Sequence, residues 1–354
     1  MEIVLLGPYP PPYGGISVHV QRLKERLEER GIPCVVYDYS SIRGKEDDIV
    51  AIRNKAIWFL NQLFHNTDSI IHLCGYSPSA LIALSLLVAV KRKKVVVDTG
   101  GFLFSQEGIT LQHRLAFQIA AKTGIYFIAE SSRSRDIMLS LGIKPENVND
   151  EIIPCFIPPR ARAGNIFKLT EELQNFISSH RPLITANAFR ISFYNNEDLY
   201  GIDLCIDLCA NLKQTHPDIG FVFCLPTIGD YDYFNKMMRR VREKDIEDNF
   251  LFVTEPCEYH AILMRCDIFV RSTNTDGDSV SLREALYFKL PSVASDAIPR
   301  PVGTVLFKNR DADDLTSKVE HILGNYSFYK SKLETLKLED NTEKILRVYY
   351  KLKR

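Results

Sequence analysis

The 354-residue sequence carries no excess charge of either sign, with 44 Lys and Arg against 44 Asp and Glu. A dedicated nucleic-acid binder presents a basic domain, so this balance argues against that class. The local basic runs Lys91–Lys94, Arg239-Arg240 and Lys351–Arg354 read as solvated faces. Cys-x-x-Cys spacing is missing among the eight cysteines, which leaves neither a zinc site nor a disulfide framework suggested and fits reduced thiols. His19, His72 and His113 also lack metal-ligand spacing and read as structural, so no metal is expected. No apolar run approaches the roughly 20 residues that cross a bilayer; Leu81–Val90 reaches about half of that and predicts a buried helix. The start of the chain, Met1 followed by the strand-like Ile3-Val-Leu-Leu6, lacks the charged region, apolar stretch and cleavage site of a signal peptide. The expectation is a cytoplasmic protein. Gly75-Tyr76-Ser77 is not a Gly-x-Ser-x-Gly nucleophile elbow, so hydrolase chemistry has little support.

What is present is an alternation of strand-like and helix-like segments. Ile3–Leu6, Ser17–Arg30, Pro33–Tyr37, Ala51–Phe64, Ser69–Leu73, Pro78–Val90 and Val95–Asp98 keep that rhythm, which continues through Leu111–Lys122, Tyr126–Ala129, Ser131–Leu141 and Glu151–Pro154. It predicts an α/β fold with a parallel sheet covered on both faces. The Pro-rich, basic segment Ile157–Gly164 interrupts the pattern and reads as a linker. A second series then runs from Leu183–Ala186 to Ser292–Ala294. The length suits two cores. The expected domains are 1–164 and 165–341, with a C-terminal helix over 342–354 that can pack back on the first. Ligands of such sheets bind at the carboxyl ends of strands.

The densest chemistry lies in Asp276-Gly-Asp-Ser-Val-Ser-Leu-Arg-Glu284, which places two carboxylates eight residues apart across the start of a predicted helix. Free N–H groups and the positive end of the dipole there favour a diphosphate. Glu284, deeper in the helix, can accept from sugar or ribose hydroxyls. Two other readings stand beside this one: a capping box between Ser281 and Glu284, and a metal-gripping Asp-x-Asp at Asp276-Gly-Asp278. Gly14-Gly15, after the first strand and a proline-rich loop, would let a phosphate or sugar approach the backbone. The alternative is a loop glycine needed for positive φ. Arg190, after the first strand of the second series, can clamp a diphosphate and offset charge on a leaving group, or be a surface arginine. Thr99-Gly100-Gly101 follows another first-domain strand and can line an acceptor pocket, with Phe102, Leu103 and Phe104 beside it, or form a buried turn. Tyr200-Gly201 opens a helix, where the tyrosine reads mainly as packing. Arg53 and Lys55 beside Ile57, Trp58, Phe59 and Leu60 give that helix either core packing or a lipid-facing side.

Together, Pro10-Pro-Pro-Tyr-Gly-Gly15 with its helix and Gly31, and Asp276 to Glu284 followed by Pro291-Ser-Val-Ala-Ser-Asp296, resemble the marks of the family 4 retaining glycosyltransferases. The resemblance spans essentially the whole chain. It implies the GT-B fold of two facing Rossmann-like, doubly wound domains with parallel sheets, an acceptor side in the first and a nucleotide-sugar side in the second. It also implies a retaining transfer from a nucleoside-diphosphate sugar to a hydroxyl acceptor, in polysaccharide or cell-surface glycan assembly. Neither metal nor other cofactor would be needed. Glu284 matches the acid that holds the ribose, Asp276 the acid at the donor sugar, and Arg190 lies near the phosphate-binding arginine, which makes Asp276 and Arg190 the catalytic candidates. Gly14, Gly15 and Gly277–Val280 complete the donor set, and Thr99, Gly100 and Gly101 the acceptor side. The acceptor would be a glycan or lipid-linked, with peripheral contact at the inner face of the membrane. The chain departs from the family at three places: Asp276 stands for a glutamate, Tyr200 for a lysine and Thr99 for a histidine. An epimerase of the same fold and a non-catalytic sugar-nucleotide-binding subunit are the alternatives.

Overall fold

A computed structural model describes residues 1–11, 13–40, 48–64, 68–99, 109–160 and 169–353. The chain divides into two compact units, Met1–Ile157 with Asp340–Arg354, and Pro158–Glu339. The first contains strands β1 (Glu2–Leu6), β2 (Cys34–Asp38), β3 (Ile49–Ala51), β4 (Ser69–Cys74), β5 (Lys94–Asp98) and β6 (Tyr126–Ile128). Its helices are α1 (Gly15–Glu29), α2 (Lys55–Phe64), α3 (Pro78–Lys91), α4 (Leu111–Ala120) and α5 (Ser132–Ser140). The second unit begins with α6 (Glu171–Ser179) and has strands β7 (Leu183–Asn187), β8 (Phe193–Tyr194), β9 (Glu197–Asp198), β10 (Gly220–Cys224), β11 (Phe250–Val253), β12 (Ile268–Arg271), β13 (Ser292–Ser295) and β14 (Thr304–Phe307). Between and after them run α7 (Ile202–Lys213), α8 (Tyr231–Glu243), α9 (His260–Leu263), α10 (Val280–Tyr287), α11 (Ala312–Gly324) and α12 (Tyr326–Glu334); α13 (Thr342–Lys353) belongs to the first unit.

Both sheets are parallel and share one topology. The orders are β3-β2-β1-β4-β5-β6 and β11-β10-β7-β12-β13-β14. Each is the doubly wound arrangement in which strand order reverses between the first strand and the fourth, opening a crevice at their carboxyl ends. Alternation along each strand builds the two faces. Ile3 and Leu5 of β1 join Val20, Leu23 and Leu27 of α1 and Ile345 and Tyr349 of α13, whereas Val4 and Leu6 join Leu81 and Leu84 of α3 and Phe117 of α4. The second unit does the same: Phe221 and Phe223 pack with Ile206 and Val319, and Val222 packs with Leu282 and Ala285. Strands buried on both faces have to read as near-continuous apolar runs, and these do.

Several elements differ from the sequence expectations. The segment read as one helix over Ala51–Phe64 begins on the last residue of the three-residue strand β3, which pairs with β2, and only Lys55–Phe64 is helical. Glu151–Pro154 is not a strand; Ile153 donates to the Ala129 carbonyl, but β6 ends at Ile128. Strand β14, the β8–β9 hairpin, α6, α11 and α12 were not anticipated, since each is short at a sheet edge or polar on its outer face. Helix α3 is buried along Leu81, Leu84, Ser85 and Leu87, and its other side exposes Ile82, Leu86 and Val90. No helix among the described residues is long and apolar enough to cross a membrane.

Candidate active site

In the second unit the switch point lies between β7, ending at Asn187, and β12, ending at Arg271. Arg271 joins the two. Its Nη1 donates to the Asn187 carbonyl at 3.2 Å, while Nε and Nη2 donate to Oδ2 and Oδ1 of Asp276 at 2.8 and 3.1 Å. Such a two-pronged guanidinium–carboxylate pair fixes orientation as well as charge. Arg300, whose side chain is 2% exposed, donates from Nη1 to Asp276 Oδ2 at 3.1 Å, from Nη2 to the Thr273 and Ser295 hydroxyls and from Nε to the Ser295 carbonyl. Thr273 Oγ1 and the Gly277 N–H also donate to Asp276.

Asp276 therefore accepts five contacts on the about four lone-pair positions of a carboxylate. In this arrangement nothing is left over for a sugar hydroxyl. Burial pushes its carboxyl up, but the Arg271 and Arg300 guanidiniums outweigh that and hold it below the usual carboxylate range. Two guanidiniums against one carboxylate give the Arg271–Asp276–Arg300 knot by itself one net positive charge.

The loop after Asp276 runs into α10. Ser279 is the N-cap, its hydroxyl accepting from the Leu282 N–H at 3.3 Å. Helix α10 starts at Val280, so Glu284 lies too deep to close a capping box with Ser281, and that alternative fails. The first turn closes with the Arg283 N–H donating to the Ser279 carbonyl at 3.1 Å, which leaves the Val280 and Ser281 amides at the helix start. The Asp278 carboxylate pairs with Arg283 of the same helix. Glu284 is 4% exposed, a burial that an acid on an ordinary helix surface would not adopt.

Gly201 sits opposite. It has φ +65°, and a Cβ there would meet the Ser272 backbone oxygen at 2.7 Å, so only glycine fits between the α7 start and the end of β12. Asp198 accepts from the Tyr200 and Ile202 N–H groups and Ser272 Oγ donates to the Tyr200 carbonyl, which secures the turn. The Tyr200 ring lies 5.2 Å from the Arg271 guanidinium carbon. The tyrosine thus packs on the arginine that organises the loop. Arg190 is exposed on the segment that follows β7, and no carboxylate among the described residues forms an ion pair with it.

In the first unit, Gly14 caps α1 with φ −143°, and neither it nor Gly15 has positive φ. Backbone conformation therefore does not demand this glycine pair. Ser17 Oγ accepts from the Gly14 N–H at 2.9 Å and ties the turn to the helix. Thr99, just beyond β5, is 1% exposed, and its hydroxyl has no hydrogen-bond partner among the described residues. Gly100 and Gly101, with Phe102, Leu103 and Phe104, lie outside the described residues. Sequence reasoning missed Arg271 and Arg300. The available signals were an arginine closing the apolar run Ile268-Phe-Val and another enclosed by Pro299 and Pro301.

Replacing Asp276 with Asn should cost about 3–5 kcal/mol, the penalty for removing one partner of a buried pair. Because the folded-state pKa is depressed, the native contribution is present above the unfolded value of about 3.9 and is lost as pH falls through the folded one. Urea melts should therefore separate the two proteins at pH 7 and converge as the pH falls from about 4 through the lower folded-state value. Curves that coincide at pH 7 would remove the keystone role.

Comparison with known proteins places the fold. HepE of Anabaena, solved in complex with UDP and glucose, superposes with a TM-score of 0.67 at 16% identity over 97% of this chain and 94% of its own. A glycosyltransferase from Rickettsia africae gives 0.70 at 14% identity over 99% and 98%, and the trehalose-6-phosphate synthase OtsA gives 0.72 at 12% over 100% and 99%. The two six-stranded parallel sheets and these similar structures make the fold GT-B. No curated protein sequence matches the chain. Residues 191–336, which include the whole Asp276–Glu284 segment, match the family described as glycosyl transferases group 1.

Proposed function

We propose that the protein is a retaining glycosyltransferase that moves a sugar from a nucleoside-diphosphate donor to a hydroxyl acceptor without a catalytic metal, in polysaccharide or cell-surface glycan assembly. The observation that carries the reading is the buried Glu284 on a helix that starts at the switch point of the second sheet, beside the net positive charge of the Arg271–Asp276–Arg300 knot. Glu284 takes the ribose hydroxyls, and the backbone from Gly277 to Val280 takes the diphosphate through amides at the α10 start. Arg190, exposed at the same strand edge, supplies the mobile cation for the leaving group. Asp276 faces the donor sugar, reaching it only once Thr273 or Arg300 releases an oxygen; otherwise it acts by holding the loop. Gly14 and Gly15 are a backbone surface for phosphate or sugar, and Thr99, Gly100 and Gly101 line the acceptor side.

UDP is the first nucleotide to try, because HepE was solved with UDP and with UDP-glucose. UDP at about 100 times its dissociation constant should add roughly 2.7 kcal/mol and raise Tm by several degrees without divalent ions. Glu284→Gln, shown to be folded by circular dichroism, should weaken nucleotide binding and turnover by about 10–100-fold, the value of a hydrogen bond to a charged group. Full activity in that variant would refute the ribose assignment. Free UDP released with a glycosylated product of unchanged anomeric configuration separates transfer from epimerisation. Binding without turnover on any acceptor would leave a sugar-nucleotide-binding subunit.

A lipid-linked acceptor fits the outer side of the first unit. Helices α2, α3 and α4 are neighbours and contain no Asp or Glu. They expose Ile57, Leu60, Phe64, Leu86, Val90, Leu111 and Leu115, with Lys55, Lys91 and Arg114 also at the surface. Apolar and cationic groups together suit an anionic bilayer surface. The protein should co-sediment with phosphatidylglycerol vesicles at low salt and detach as salt rises, and Phe64→Asp should weaken the binding. Protein that stays in the supernatant at low salt would overturn the membrane contact.

A further inference from the structure

Beneath the switch point of the first sheet lies a polar cluster in which three elements meet. His19 comes from α1, Cys74 ends β4 and Asp98 ends β5, and all three are buried. His19 Nδ1 lies 2.7 Å from the Cys155 carbonyl, which can only accept, so Nδ1 carries the proton and the neutral ring presents its lone pair at Nε2. Asp98 spends Oδ1 on the Gly75 N–H at 3.0 Å. Its Oδ2 faces His19 Nε2 at 3.5 Å, and neither atom has a hydrogen-bond partner among the described residues. His72 Nε2 lies 3.4 Å from the same oxygen, so the group left unanswered away from water is the His19 lone pair, which a cation shared with the carboxylate would satisfy.

We infer that these residues bind one divalent transition-metal ion of the zinc class through His19 Nε2, Asp98 Oδ2 and Cys74 Sγ. The three donor atoms lie within 4.8 Å of one another. Zinc bonds of about 2.0–2.3 Å in tetrahedral array separate their ligands by roughly 3.3–3.6 Å, so the observed 3.5 Å between nitrogen and oxygen needs little adjustment. The His19 N–H held by a backbone carbonyl is the outer contact that fixes a ligating imidazole. His72 supports the carboxylate: its Nδ1 lies 2.6 Å from the buried Tyr349 hydroxyl, and its Nε2 lies 3.4 Å from Asp98 Oδ2. With the tyrosine donating, Nε2 carries the proton that faces the carboxylate. A cavity of about 10 Å³, about the size of one water, lies on the imidazole and carboxylate side of the cluster, lined by His19, His72, Asp98 and Glu130 but not by Cys74. On binding, the Cys74 thiol exchanges its weak 3.9 Å contact with the His72 carbonyl for the metal and gives up its proton to solvent. Thiolate and carboxylate then cancel the two charges of the ion, so burial leaves no net charge. The site braces α1, β4 and β5 and is structural, with no part in the donor chemistry proposed above.

The test uses the full untagged chain, purified without chelator and gel-filtered. Elemental analysis should find close to one equivalent of zinc. Prolonged chelation should lower Tm, and added Zn²⁺ should restore it. Titration of the stripped protein with Co²⁺ should give the visible bands of a tetrahedral ion and a thiolate charge-transfer band. Cys74→Ser, checked for folding by circular dichroism, should lose the charge-transfer band and bind Co²⁺ at least about 10-fold more weakly, as should His19→Gln, whereas His113→Gln should behave as the parent. Folded parent protein with no bound metal, no Co²⁺ spectrum and no Tm response to Zn²⁺ would overturn the inference and leave the pair bridged by a water or a shared proton.

Discussion

The guanidinium of Arg271 is the constraint on which the second unit's site depends. It closes a buried strand, reaches across the reversal of strand order to the β7 carbonyl at Asn187, and grips both oxygens of Asp276. Without that grip the loop from Ser272 to Ser279 loses its tie to β7 and half of the hold on Asp276, and is left to Arg300, to the Asp278–Arg283 pair and to short polar side chains. Arg300 reinforces the arrangement from the other side by linking Asp276, Thr273 and Ser295, so β12 and β13 share one ionic knot at their carboxyl ends. A buried ion pair is rarely a gain over apolar packing. Its use here lies in orientation: it forces one loop path where apolar contacts would allow several.

Much of the fold was legible because strands buried on both faces leave unbroken apolar runs, as Ile3-Val-Leu-Leu6 and Ile268-Phe-Val do. The duplicated rhythm then implied two doubly wound sheets, and the order of the six strands is the same in both. What escaped was local and short. Strand β3 has three residues, of which Ala51 was read into the following helix and Ile49 and Val50 into no element, because so short a run shows no periodicity. The segment over Glu151–Pro154 has strand-like residues but no neighbour left to pair with beyond the end of β6.

The site was legible in its backbone frame and illegible in its charge partners. The position of Glu284 within a helix beginning near Ser279 followed from local pattern, as did the glycine pair at the entry of α1. That Asp276 would be enclosed by Arg271 and Arg300 did not, since Arg300 lies 24 residues downstream and meets Asp276 only through the pairing of β12 with β13. The same holds for His19, Cys74 and Asp98. Their spacing in sequence carries no ligand pattern, and only the stacking of α1 over β4 and β5 gathers them.

The path of the chain between the two units has a consequence for biosynthesis. The residues that complete the first unit's core, Ile345, Leu346, Val348 and Tyr349, follow the entire second unit in the chain. Domains usually fold in the order in which they leave the ribosome. Here the first unit emerges with one flank of its sheet bare and must wait through the synthesis of Pro158–Glu339 before α13 can cover it. The second unit is therefore the first to be complete, and the nascent chain carries an open apolar face for as long as translation of that unit takes, an interval in which chaperone binding protects the protein best.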